Sequence, residues 1–346
     1  MNNIKTVIVF MMDKHMGNLV VSIPAIQMLR DFFREKDFKL VIDESYSDIA
    51  RAFFPDEEIV SFPRRRLKGG GLYTRLISYL RFIKRLRALR PSLSIDLECR
   101  QASATFAFLS GAVVRVGKDS GERPYLYNRR VRLAPGVHKM WNYIEIARAT
   151  GAPPSAVIPR PRFLPQWAES LRKKLEAAGI DKDGEIISIH PSAGKIYKQW
   201  PLEKFASLSD LLVDKGYEVC FVGGVEDKDN VKKVVHLMRN ESCDFAGRLT
   251  LGELMVLFRM SSLYIGNDSG PLHLASVMDT PVVGLYGPAD EERWSPIGRR
   301  GIVLRGDSPC EKCKGRDCEH DYRCIARLGL DEVMQGVESM LEGVGA

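Results

Sequence analysis

Short apolar runs alternate with longer segments of helical period along most of the chain. Ile4–Met12 is an apolar run of β type and reads as a central parallel strand. His15-Met16-Gly17-Asn18 is the turn after it. Leu19–Phe33 has a helical pattern, with Pro24 near its start and Leu29 and Phe33 continuing the apolar face. Lys39–Ile42 reads as a second strand, Ser47–Phe54 as a short helix and Ile59–Phe62 as a third strand. Leu93–Leu97, Gln101–Leu109, Val113–Val116 and Val137–Ala149 continue as strand, helix, strand and helix. This alternation predicts a doubly wound α/β sheet.

Gly151–Pro165 carries five prolines and reads as a domain boundary. Beyond it the pattern repeats. Trp167–Ala178 is a helix, and the strand Glu185–Ile189 runs into His190-Pro191-Ser192-Ala193-Gly194. The helix Leu202–Lys215 precedes the strand Glu218–Val222, which runs into Gly223-Gly224. Asp227–Met238 and Thr250–Phe258 are helices. Leu263-Tyr264-Ile265 then turns through Gly266–Gly270 into a helix over Leu272–Met278, with Pro271 at its first position and Asp268 as its cap. Pro281–Gly287 is a further strand and Leu330–Leu341 a closing helix. Ligands of open α/β sheets bind at the carboxyl ends of strands. The ends near residues 190, 223 and 268 are therefore expected to line one cleft.

With 346 residues, 45% hydrophobic and 27% charged, the chain suits two soluble domains of about 150 residues each. The short apolar run at the N-terminus is followed by Asp13-Lys14 and has no cleavage site, so no signal peptide is expected. No stretch approaches the roughly 20 apolar residues of a spanning helix. Both points place the protein in the cytoplasm. The net charge of +7 calls for an anionic partner. Arg64–Arg90 holds ten Lys or Arg and no acid, with Leu76, Leu80, Ile83 and Leu86 at helical spacing. It is either a basic solvent face or a surface drawn to an anionic membrane or phosphorylated acceptor. Nucleic acid is disfavoured, because no aromatic stacking platform accompanies the charge.

The three strand ends supply the chemistry. The first gives small residues, then Lys198 and Trp200; the second gives Gly223-Gly224 and Glu226; the third gives Asp268-Ser269-Gly270 and His273. A lysine beside small turns and a helix N-terminus suits a pyrophosphate. A carboxylate one loop away suits a ribose diol. No GxxxxGK[ST] and no N-terminal GxGxxG is present, which argues against a P-loop and against hydride transfer.

The stretches ISIHPSAGKIYKQWPLEKFASL, CFVGGVEDKDN and IGNDSGPLHLASVMDTPVVGLYGPADEERWSPIG resemble the ADP-heptose:lipopolysaccharide heptosyltransferases, and KTVIVFMMDKHMGNLVVSIPAIQMLR is similar to that family's first strand, turn and helix. The resemblance implies a GT-B fold, two Rossmann-like domains facing a central cleft. An acceptor domain would span residues 1–160 and a nucleotide-sugar donor domain 161–330. Residues 331–346 would turn back toward the first domain. It implies inverting transfer from a nucleoside-diphosphate sugar to an anionic glycolipid at the inner membrane. No cofactor is required. Lys198 would hold the donor phosphates beside Ser192, Ala193 and Gly194. Glu226 would hold the ribose, Asp268 would correspond to the family's acid, and Ser269 and Gly270 to its phosphate-binding backbone. His273 divides between a binding role and a core histidine.

Two features depart from the family pattern or stand outside it. The family's turn reads Gly-Asp, with the aspartate as base, where this chain has Gly17-Asn18. An amide takes up no proton at neutral pH. Asp13 replaces that base, or Asn18 only orients the acceptor, or the protein binds sugar nucleotides without efficient transfer. Cys310, Cys313, Cys318 and Cys324, with His320 among them, have the spacing of a zinc or iron–sulfur site. Relatives with similar cysteines favour thiols or a local disulfide instead.

Overall fold

The computed structural model describes residues 4–64, 71–180, 184–287, 291–306 and 323–343. The chain divides into two compact units, Met1–Arg162 and Phe163–Ala346.

The first unit holds β1 (Thr6–Met11), β2 (Asp37–Asp43), β3 (Ile59–Phe62), β4 (Leu93–Asp96), β5 (Val114–Lys118) and β6 (Arg129–Val131). They form one sheet in the order β3-β2-β1-β4-β5-β6, parallel at every pairing. All six residues of β1 are buried, as a central strand of a two-sided sheet requires. The following helix, Met16–Phe32, begins three residues before the sequence pattern suggests, so Pro24 lies inside it. It packs beside the helix Lys139–Arg148.

The helix Leu72–Ala88 does not bury the stripe its leucines suggest. Phe82 and Leu86 are buried, but Leu76 and Leu80 are 54% and 56% exposed. Aromatic packing decides the face. Phe62 of β3 and Phe106 of the helix Gln101–Leu109 meet the Phe82 ring edge-on, at 5.1 and 5.0 Å. Tyr79 stacks on Phe106. Such pairs outweigh the alternative burial of Leu76 and Leu80.

The second unit holds β7 (Ile186–His190), β8 (Glu218–Phe221), β9 (Cys243–Asp244), β10 (Leu263–Asn267), β11 (Val282–Tyr286) and β12 (Gly301–Arg305). Their order is β12-β11-β10-β7-β8-β9, again parallel throughout. Counted from the first strand of each unit, both sheets have the Rossmann order 3-2-1-4-5-6. β6, β9 and β12 carry no sequence signal because they are short, part-exposed edge or near-edge strands. The core gathers Trp200, Phe205, Phe221 and Leu263. The closing helix Leu330–Leu341 buries Val333, Met334, Val337 and Met340 in this core.

Candidate functional site

In each sheet the order of adding strands reverses between its first and fourth strands, which leaves a crevice at their carboxyl ends. In the second unit these strands are β7 and β10, with β8 beside β7. The three expected strand ends are thus neighbours. Asn267, fully buried at the end of β10, ties two of them together. Its Oδ1 accepts the Trp200 N–H at 2.9 Å, and its Nδ2 donates to the carbonyls of Pro191 and Ser192 at 3.1 and 3.3 Å. The loop that carries Lys198 is therefore fixed against β10.

Lys198 Nζ lies 2.5 Å from Asp268 Oδ2, and Asp268 is almost fully buried. Asp268 is consequently not the cap of the next helix. Ser269 occupies that position, and the helix runs Gly270–Val277 with its proline in the first turn. The Ser269 hydroxyl makes no cap hydrogen bond and meets His190 Nδ1 at 3.2 Å instead. Ser192 is buried and accepts from Asn230 Nδ2 at 3.2 Å. Ala193 is half-buried and Gly194 exposed. His273 is buried inside its helix, its ring 6.3 Å from that of Trp294.

The β8 end contributes two carboxylates. Glu226 is exposed and folds over Gly224, where an added Cβ would fall 2.6 Å from its Oε2. Asp227 folds over Gly223 in the same way. It accepts from the Gly224 N–H at 2.7 Å and meets His190 Nε2 at 3.2 Å. Burial pushes the Asp227 carboxyl up, but its hydrogen bonds, that with His190 foremost, hold it below its ordinary value. The result combines a lysine, a helix N-terminus, small backbone turns and a hydrogen-bonded histidine, which together suit a diphosphate.

The corresponding ends in the first unit, β1 and β4, are acidic. Asp13 is buried, accepting from the His15 N–H and from Asn18 Nδ2, both at 2.8 Å. Asn18 Oδ1 is buried and unpartnered. Asp96 is fully buried, and its carboxyl is pushed up to about 6 by burial. Tyr127 Oη and the Cys99 N–H donate to it at 2.6 and 2.8 Å and limit that rise. Glu98 is pushed further, to about 8, by burial and by repulsion from Asp96 and Asp13. The Arg64 guanidinium, which bonds Asp43 and the Met12 carbonyl, opposes this only in part.

Sequence reasoning did not assign roles to Asn267, His190, Asp227 or Glu98. The first three lie inside motifs already noticed, but their hydrogen bonds cross 37 to 79 residues, which no local pattern encodes. Glu98 follows a strand end and is distinguished only by its burial. Among the described residues no group of three or more His, Cys, Asp or Glu could hold a metal. Cys310, Cys313, Cys318 and His320 lie outside the described residues, and Cys324 is buried. No described helix is long and apolar enough to cross a membrane.

The model of glycosyltransferase family 9 (heptosyltransferase) matches residues 79–322. Lipopolysaccharide heptosyltransferase 3 of Escherichia coli K12 is 26% identical over 338 residues, covering 95% of this chain and 96% of the relative. A family 9 glycosyl transferase from Veillonella parvula superposes with a TM-score of 0.85 at 22% identity, over 98% of this chain and 97% of its own. The E. coli heptosyltransferase WaaC with ADP-2-deoxy-2-fluoro heptose gives 0.72 at 18% identity, over 96% of this chain and 99% of its own. These likenesses show the fold, two Rossmann-like domains of GT-B type.

Proposed function

The chain belongs to glycosyltransferase family 9, and from that membership we propose that it transfers a heptose from ADP-heptose to a lipopolysaccharide core acceptor with inversion. The donor chemistry is that of the WaaC complex, and the acceptor class is that of the E. coli relative. The observation that carries the donor assignment is the Lys198–Asp268 pair beside the free N-terminus of helix Gly270–Val277. Lys198, positioned by Asp268, meets the diphosphate. Ser269 and the backbone at Ser192–Gly194 and Gly270 supply further donors. Glu226 reaches the ribose, and His273 supports the helix from within. The acceptor oxygen bonds to the anomeric carbon as the bond to ADP breaks. Groups fixed in advance stabilise the negative charge of the leaving group, so no resident metal is needed.

The first unit supplies the base. Asp13 takes the acceptor's proton, and Asn18 holds its carboxylate by the 2.8 Å hydrogen bond. This gives the amide in the Gly17-Asn18 turn a positioning role. The decisive experiment is turnover of ADP-heptose with a lipid-linked inner-core acceptor. Wild type transfers, and Lys198→Ala lowers kcat/KM by about a hundredfold. Donor binding without transfer would instead favour a sugar-nucleotide-binding relative, the reading to which Asn18 lends support.

The acceptor is lipid-borne, and the surface of the first unit suits an anionic membrane. Leu72, Tyr73, Leu76 and Leu80 are 54–84% exposed along one side of helix Leu72–Ala88. Arg81, Lys84 and Arg87 lie beside them on the same helix, and residues 64–90 contain no acid. An apolar stripe edged with cations lies in the headgroup layer of an anionic bilayer. The enzyme therefore works peripherally on the cytoplasmic face of the inner membrane.

A further inference from the structure

Ser269 meets the diphosphate in the donor site, but His190 and Asp227 behind it have no role there, and the geometry of Asp227–His190–Ser269 restricts what each group can do. Asp227 stays ionised and can only accept. His190 Nε2, 3.2 Å from its Oδ2, must then carry a proton. The remaining freedom lies at Nδ1, 3.2 Å from Ser269 Oγ. In neutral imidazole Nδ1 accepts, so the Ser269 proton points inward and the hydroxyl offers lone pairs to a ligand. In imidazolium Nδ1 donates, and the Ser269 proton is free to point outward.

We propose that His190 is a positioning residue that takes up a proton when the donor binds, turning the Ser269 hydroxyl from acceptor to donor toward the diphosphate. The inference rests on the donor-site assignment and deepens it. Three observations support it. His190 is 4% exposed, so bulk water competes little for its two ring nitrogens. The Ser269 hydroxyl is not engaged as a helix cap. Asp227 is itself fixed by the Gly224 N–H, so it cannot follow the imidazole. The titratable groups around the relay are Asp227 after β8, Tyr264 on β10 and the Lys198–Asp268 pair next to Ser269. A diphosphate diester carries two negative charges and has no proton of its own to lose near neutral pH. Any proton taken up on binding therefore comes to the protein.

The test is titration calorimetry of ADP-heptose, without acceptor, in buffers of differing ionisation enthalpy between pH 5.5 and 8.5. Wild type is expected to take up a proton, with affinity rising as pH falls by about tenfold in all. His190→Gln and Ser269→Ala both lose the uptake and the pH dependence. Asp227→Asn, which removes the anion that favours imidazolium, moves the dependence to lower pH. Melting curves of each variant check that the unit remains folded. Full proton uptake in Ser269→Ala would overturn the relay, as would pH-independent binding by wild type. Lys198→Ala separates the two levels of inference. It should weaken binding while keeping the proton uptake, and unchanged affinity in that variant would sink the donor-site assignment itself.

Discussion

At the residue scale the first unit's chemistry turns on which carboxylates keep their protons. Asn18 donates to Asp13 at 2.8 Å, so replacing the amide by a carboxylate sets two acids at hydrogen-bonding distance. One of them would then hold a proton at neutral pH. Asn18→Asp, although it restores the family's Gly-Asp turn, is therefore expected to lower kcat. Asp13→Asn should lower it by roughly 10²–10⁴-fold, the range of a lost general base. A rate increase in Asn18→Asp would reverse the assignment. Glu98 provides an independent check through stability. Its folded carboxyl titrates at about 8 against an ordinary 4.5, so the folded state binds more protons between those values. Stability must fall as pH rises across that window and level off above it, by a few kcal/mol in order of magnitude. Denaturant unfolding of Glu98→Gln should show a shallower fall and greater stability than wild type at pH 9.

At the element scale, two helices show how far the sequence could be read. Leu330–Leu341 was legible to the residue, because its apolar period meets a core that is continuous around it. Within Arg64–Arg90 the leucine spacing pointed to a helix, found at Leu72–Ala88, but neither its bounds nor its buried face followed from the pattern. Leucines at a helical spacing say which residues share a side. They do not say whether Phe62 and Phe106 wait on another side. The same limit applies at the strand ends. Lys198, Ser192–Gly194, Glu226 and Asp268–Gly270 stand out as motifs, whereas the Asn267 hydrogen bonds that fix the Lys198 loop arise only on folding. The exposed stripe yields its own prediction. The double variant Leu76→Ser, Leu80→Ser should bind phosphatidylglycerol vesicles roughly thirtyfold more weakly or worse, while transfer to a delipidated acceptor is unchanged. Equal vesicle binding would leave charge alone as the attraction.

At the scale of the whole molecule, the two units have one strand order but different chemistry at their strand ends, a Lys198–Asp268 pair beside a helix N-terminus in the second and buried acids in the first. Ligand binding should reveal this division. ADP at about a hundred times its dissociation constant adds roughly 2.7 kcal/mol to the state that binds it. Hydrogen exchange should therefore slow at the β7, β8 and β10 ends, near residues 190–200, 223–230 and 266–273. Equal slowing at the β1 and β4 ends would contradict the placement of the donor in the second unit.

The repeated strand order also bears on how such a chain can change. Each sheet closes its own hydrogen bonds and offers the same crevice, so a substitution at the crevice of the first unit leaves the scaffold of the second intact. The halves are in that sense interchangeable parts. A chimera that joins this donor half to another family member's first half should keep its choice of sugar nucleotide and inherit a new acceptor.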